Sequence, residues 1–160
     1  MNRRRLLATT GILALLAACS TGAPTLTQLQ TDAALVTAGA AAVAVSVEAT
    51  PNLDPAVRAK IDSAMATVNA ANGVIQQSTQ TPGTAAQQFV VAVRVAAPLL
   101  LATLNPSSPE AIAVNAALAL LPTILTAAGV PAAPVPAARL GMGAEEAAEA
   151  RLVIHGYIHK

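Results

Sequence analysis

Residues 54–75 read DPAVRAKIDSAMATVNAANGVI, and this stretch decides the fold. Asp54 stands directly before Pro55, where an aspartate oxygen can accept from an orphan backbone N–H and proline sacrifices no donor at the first helical position. Val57, Ile61, Ala64, Val68, Ala71 and Ile75 follow in steps of four and three. That spacing places them along one face of an α-helix, and no strand period competes with it.

The same device recurs along the chain. Thr81-Pro82 and Ser108-Pro109 repeat the polar residue followed by proline, and successive prolines of the three pairs are 27 residues apart. Thr25 or Thr27 offers a similar start further upstream. Helices are therefore expected over about 25–49, 55–78, 82–104 and 109–128. Each carries its stripe: Leu26, Leu29, Ala33, Val36, Ala40, Val43 and Val47 in the first, and Ala86, Val90, Val93, Ala97, Leu100 and Leu104 in the third. In the fourth the stripe is Val114, Leu118, Leu121 and Leu125. Four helices of near-equal length with short connections fit an all-α, antiparallel up-down four-helix bundle. A fixed interval also marks helical repeat arrays. Here the segments share little beyond the capped prolines, since the charged run Arg58 to Asp62 has no counterpart in the third or fourth.

The material of the bundle is unusual. Phe89 and Tyr157 are the only aromatic residues, there is no tryptophan, and alanine dominates. Alanine has the best helix propensity but buries little surface, at about 0.8 kcal/mol per methylene. Helices should form readily around a thin core.

Upstream of the bundle, Arg3, Arg4 and Arg5 precede an apolar run from Leu6 to Leu16, and Leu16-Ala17-Ala18-Cys19 closes it with the single cysteine of the chain. The order of basic, apolar and small residues is that of an export signal. The apolar run is shorter than the roughly 20 residues a spanning helix needs. Leu16-Ala17-Ala18-Cys19 resembles the lipobox of bacterial lipoproteins. That resemblance implies lipid attachment at Cys19, removal of the residues before it, and a membrane-anchored, extracytoplasmic address in the cell envelope. Ser20 resembles lipoproteins sorted to an outer membrane, which implies its periplasmic leaflet in a host with two membranes. Asn2-Arg3-Arg4-Arg5-Leu6-Leu7 also resembles the twin-arginine signal, though Asn2, Leu6 and Ala8 stand where that family has Ser or Thr, Phe and often Lys. An ordinary basic leader is the alternative.

The expected organisation is a cleaved signal peptide over 1–18, a lipidated tether over 19–24 and a helical bundle over 25–129. A Pro/Ala/Gly-rich spacer follows over 130–142, with a short C-terminal helix or tail over 143–160. Cleavage leaves six basic against eight acidic residues, a net charge of −2. A weakly acidic chain lacking basic clusters and stacking aromatics argues against nucleic acid as a partner. With Cys19 acylated no thiol remains for a disulfide.

Polarity falls along the chain. Gln28, Gln30, Asp32, Arg58, Lys60, Asp62, Gln76 and Gln77 mark the outer faces of the first two helices, whereas no charged residue lies between Glu110 and Arg139. Pro98 and Pro122 interrupt the last two. On an insertion scale the large apolar side chains of 111–129 contribute about −2 to −4 kcal/mol, while Arg94 at a helix centre costs about 2.5 to 3.5 kcal/mol. A bundle with its later helices buried or lying against a bilayer is favoured over a spanning hairpin.

Chemistry-bearing groups are sparse. His155 and His159 are four apart and would share a helix face, as paired metal ligands can, with Glu149 or Glu145 as an oxygen donor; a solvated C-terminal turn is the simpler reading. Glu48, Asp54 and Asp62 are expected as helix-end charges, and a carboxylate pair among them would need the tertiary structure to bring them together. Arg94, a charge in apolar surroundings, is expected either to snorkel or to pair with Asp32 or Glu48. No motif implies a catalytic residue, a metal or a cofactor. The expectation is a non-enzymatic, lipid-anchored envelope protein with a structural or protein-interaction role, with membrane lipid through Cys19 and an envelope protein as its partners. A membrane-embedded or membrane-perturbing helical protein and a carrier of a small apolar ligand are the alternatives. The segment from Gly129 onward is expected to be dispensable for folding.

Overall fold

The computed structural model describes residues 25–131 and 144–159, so the segments expected as signal peptide and tether, and most of the expected spacer, lie outside the described residues. Among those described, the chain is all-helical, with five helices in the order α1 (Leu26–Glu48), α2 (Pro55–Gln77), α3 (Gly83–Leu101), α4 (Pro109–Ala127) and α5 (Ala144–Ile158).

Local chemistry sets most of the boundaries. The Thr25 hydroxyl accepts from the Gln28 N–H at 3.3 Å, Asp54 Oδ1 from the Ala56 N–H at 2.8 Å, and Ser108 Oγ from the Ala111 N–H at 3.2 Å. Pro55 and Pro109 each open a helix. The middle pair departs from this pattern: Pro82 itself occupies the N-cap position of α3, without a side-chain cap, and the helix begins at Gly83. At its other end α3 stops at Leu101, short of the expected 104, three residues after Pro98. The helix α4 runs through Pro122, whose carbonyl accepts from the Thr126 hydroxyl at 2.9 Å. It closes on Gly129, whose φ is 70°. There the Val130 N–H reaches the Leu125 carbonyl and the Gly129 N–H the Thr126 carbonyl, both at 3.0 Å. This is the Schellman pattern of carbonyl satisfaction, and only glycine enters the left-handed region without strain.

Neighbouring ends are tied by side chains. Gln30 Nε2 donates to the Ile75 and Ser78 carbonyls at 3.2 Å, and Gln76 Nε2 returns a bond to the Gln30 carbonyl at 2.8 Å, so the start of α1 meets the end of α2. At the opposite end Arg58 Nη2 donates to the Glu48 carbonyl at 3.1 Å. The helix α2 packs on α1 and α3, while α4 packs on α1, α3 and α5.

The expected stripes largely face inward. Leu29, Ala33, Val36, Ala40, Val43 and Val47 are buried on α1, and Ile61, Ala64, Val68 and Ile75 on α2. On α4 the burial is wider than the single stripe, adding Ala113, Ala117, Leu120 and Ile124. The reason is its position: a helix flanked by three others buries more than one seam, and the near absence of charge on α4 permits it.

The main departure concerns the C-terminal segment. Far from being detached, α5 packs against α1 and α4 and buries Ala147, Ala150 and Ile154. Ile154 sits so close to Gly39 that a Cβ on the glycine would lie 2.7 Å from Ile154 Cγ2. Gly39 thus lets the α5 side chain reach the α1 backbone. The reading of this segment as detached is corrected by that docking: the apolar stripe of α5 belongs to the core.

Three helices, α1, α3 and α4, are long and apolar enough by length and composition to cross a membrane, and half of each apolar window is buried among the other helices. On α1 one residue expected on the outer face departs from that expectation: Asp32 lies inside the protein rather than on its surface.

Candidate functional site

Asp32 is the natural starting point, because it is fully buried and a buried carboxylate requires compensation. It receives that from α5 and from its own helix. Arg151 Nε donates to Oδ1 at 2.7 Å and Nη2 to Oδ2 at 2.8 Å, and Gln28 Nε2, one turn earlier on α1, donates to Oδ1 at 3.0 Å. The planar guanidinium matches the carboxylate fork, a geometry lysine would not reproduce. Hydrogen bonding to Asp32 raises the Arg151 pKa above its ordinary value, against the opposing effect of burial. The arrangement holds α5 against α1. Arg94, expected either to snorkel or to pair with Asp32 or Glu48, is exposed on α3, and among the described residues no ion pair engages it.

The histidine pair forms as spaced. His155 on α5 and His159 directly after the helix are both exposed, with ring centroids 4.3 Å apart and planes inclined by 47°. Glu145 and Glu149 do not join them: among the described residues no group of three or more His, Cys, Asp or Glu side chains gathers where a metal could sit. Tyr157, between the two histidines in sequence, turns instead to α1, where its hydroxyl lies 3.0 Å from Ser46 Oγ.

Glu48 and Asp62, expected as separate helix-end charges, come together across α1 and α2. Asp62 raises the Glu48 pKa above its ordinary value, mainly through the hydrogen bond that a protonated Glu48 gives it, with desolvation and repulsion adding and Arg58 opposing.

Two spaces accompany these groups. Inside the bundle a void of about 10 Å³ lies among Ala40, Val93, Ala97 and Val114, about the room of one water probe and without the polar partners a water needs. On the outside, α2 and α3 enclose an open groove of about 750 Å³. Ala64, Thr67 and Val74 line one wall and Gln88, Val91 and Val95 the other. No charged residue lines it. Val74, Val91 and Val95 remain 53%, 61% and 58% exposed, although valine is ordinarily an interior residue.

Of the residues read from the sequence, Leu16, Ala17, Ala18 and Cys19 lie outside the described residues, and Arg94, His155 and His159 are at the surface. Sequence reading overlooked Arg151 and the groove. Arg151 had a signal: it sits beside Ala150 in the stripe Ala147, Ala150, Ile154, while Asp32 adjoins the apolar seam of α1 at Leu29 and Val36. The two stripes each carried one charge of opposite sign. No protein-family model, curated protein sequence or solved structure matches the chain.

Proposed function

We propose that this chain is a lipid-anchored protein of the cell envelope whose helical domain serves a structural or protein-interaction role. The observation that carries the interaction role is the uncharged α2–α3 groove with its three exposed valines. Exposed apolar surface of this kind, rimmed by Thr67, Gln87 and Gln88, is what partner-binding faces present. The anchor rests on Leu16-Ala17-Ala18-Cys19 and on the basic and apolar zones before it. Such a protein lies on the extracytoplasmic side, in the periplasmic leaflet of the outer membrane where the host has two membranes. An antiparallel up-down course for α1 to α4 accords with the paired ends described above, and α5 adds a fifth helix to it.

The charge distribution and side-chain placement favour binding over chemistry. Asp32 and Arg151 are committed to each other, and Tyr157 to Ser46. A second reading, a membrane-embedded bundle, draws on the apolar windows of α1, α3 and α4. Fractionation separates the two. Cys19→Ala should abolish palmitate labelling, leave unprocessed precursor and, in the anchored reading, let an alkaline wash release the mature domain expressed without its leader. Normal-size labelled product from Cys19→Ala ends the anchor reading, and retention of the leaderless domain in alkali-washed membranes favours embedding.

A further inference from the structure

The exposed face of α5 complements the α2–α3 groove. Glu145, Glu149, Leu152 and Gly156 fall at i, i+4, i+7 and i+11, an outward stripe on a helix whose other side is docked. Leu152 is 74% exposed, the most exposed of the large apolar side chains among the described residues, and a Cβ on Gly156 would meet nothing. The stripe is therefore acidic at its N-terminal end, apolar in the middle and bare of side chain beyond.

Charges of the opposite sign flank the uncharged groove. On α2, Lys60 precedes Ala64, Thr67, Ala71 and Val74 on one line of the helix, and it is exposed. On α3, the exposed Arg94 follows Val91 by three residues. These intervals match those of α5. Leu152 stands three residues from Glu149, as Val91 does from Arg94, and seven from Glu145, as Thr67 does from Lys60. Seven residues of helix span about 10 Å. With Leu152 seated between Val91 and Thr67, Glu149 comes level with Arg94 and Glu145 with Lys60. The incoming helix then runs alongside α2 in the same direction and against α3.

That contact cannot form within one molecule. The helix α5 packs on α1 and α4 and touches neither α2 nor α3. We infer that the α2–α3 groove receives the outer face of α5 from a second copy of this chain, so that copies associate head to tail. The interface joins two different patches, and such contacts build rings or open chains rather than closed twofold dimers. This deepens the interaction role proposed above by naming its partner, and it stands independently of the lipid at Cys19.

Charge reversal tests it on the full chain purified in detergent, with analytical ultracentrifugation as the readout. Wild type should associate with rising concentration. Arg94→Glu faces Glu149 with a like charge, and Glu149→Lys does the same to Arg94, so each should weaken association about tenfold or more. The double variant Arg94→Glu/Glu149→Lys should return to within about threefold of wild type, and an equal mixture of the two single variants should also associate, because both kinds of contact between them are of opposite charge. A photocrosslinker at Val91 should capture the segment around Leu152 from a second copy. Association by a chain that takes up no palmitate defeats the anchor reading and supports this one. A chain that stays monomeric across the concentration range, one whose groove takes up a labelled fatty acid without associating, or an oligomer that neither reversal weakens overturns it. Unchanged far-ultraviolet circular dichroism of the variants shows that the readout is association and not folding.

Discussion

Arg151 closes on Asp32 through two parallel hydrogen bonds, 2.7 Å and 2.8 Å long, between residues 119 apart in the chain. The carboxylate is fully buried, while the guanidinium side chain keeps 29% of its surface exposed. A pair of this kind is unforgiving when halved, because the remaining charge loses its compensation inside the protein. The consequence is that α5 is attached to α1 by a bond with a strong orientation requirement as well as by apolar contact.

Arg151→Ala should therefore destabilise the fold by about 3–5 kcal/mol, since it leaves the Asp32 carboxylate with Gln28 alone. Replacing both members, as in Asp32→Leu/Arg151→Leu, should cost much less than Arg151→Ala alone, because no buried charge is stranded. Denaturant unfolding of the three proteins checks this. A double variant as unstable as the single one would show that the attraction itself, rather than the cost of an unpaired charge, dominates.

Gly39→Ala sets two effects against each other. Alanine gains about 1 kcal/mol in helix propensity, but its Cβ would lie 2.7 Å from Ile154 Cγ2, on a β-branched side chain with little rotamer freedom. Overpacking of this sort costs about 1–3 kcal/mol. The substitution should lower the melting temperature in wild type and raise it in an Ile154→Ala background, where the obstructing methyl is gone. Equal effects in both backgrounds would mean that α5 does not approach α1 at this point.

Deletion after Gly129 removes Ala147, Ala150 and Ile154 from the core and Arg151 from Asp32. Each kcal/mol lost shifts the midpoint by roughly 3–5 °C for a domain of this size. The truncated chain should melt at least about 10 °C below the intact one. An unchanged midpoint would return α5 to the status of an appendage.

Glu48 and Asp62 give the stability a pH dependence of defined sign. The folded state raises the Glu48 pKa above its ordinary value, so it binds that proton more readily than the unfolded chain does. This contribution is fully present below the unfolded value of about 4.3 and is lost as pH rises through the folded one. Glu48→Gln removes the dependence, and it also relieves an acid at the C-terminal end of α1, where the helix dipole disfavours it. The variant should melt at or above wild type at neutral pH and show a smaller change between pH 4 and pH 7. A melting curve unchanged by the substitution at both pH values would remove the coupling to Asp62.

The amino-acid sequence by itself determined the helices and most of their inward faces. Asp54-Pro55 and Ser108-Pro109 act within one turn, and the stripes Leu29 to Val47 and Ile61 to Ile75 follow from a spacing of three and four along a single element. Even the exception at Thr81-Pro82 shifted α3 by one residue without displacing it. What only the tertiary structure decided is which faces meet. Pairing Asp32 with Arg151, seating Ile154 on Gly39, drawing Glu48 to Asp62 and opening a groove between α2 and α3 all depend on contacts between distant segments. Gly129 ends α4 by a local rule, and the prolines that follow it in the sequence made α5 read as detached. Capping and periodicity are properties of one turn of chain, whereas docking is a comparison of burial among all the faces available, and alanine-rich stripes differ too little for their order along the chain to identify their partners.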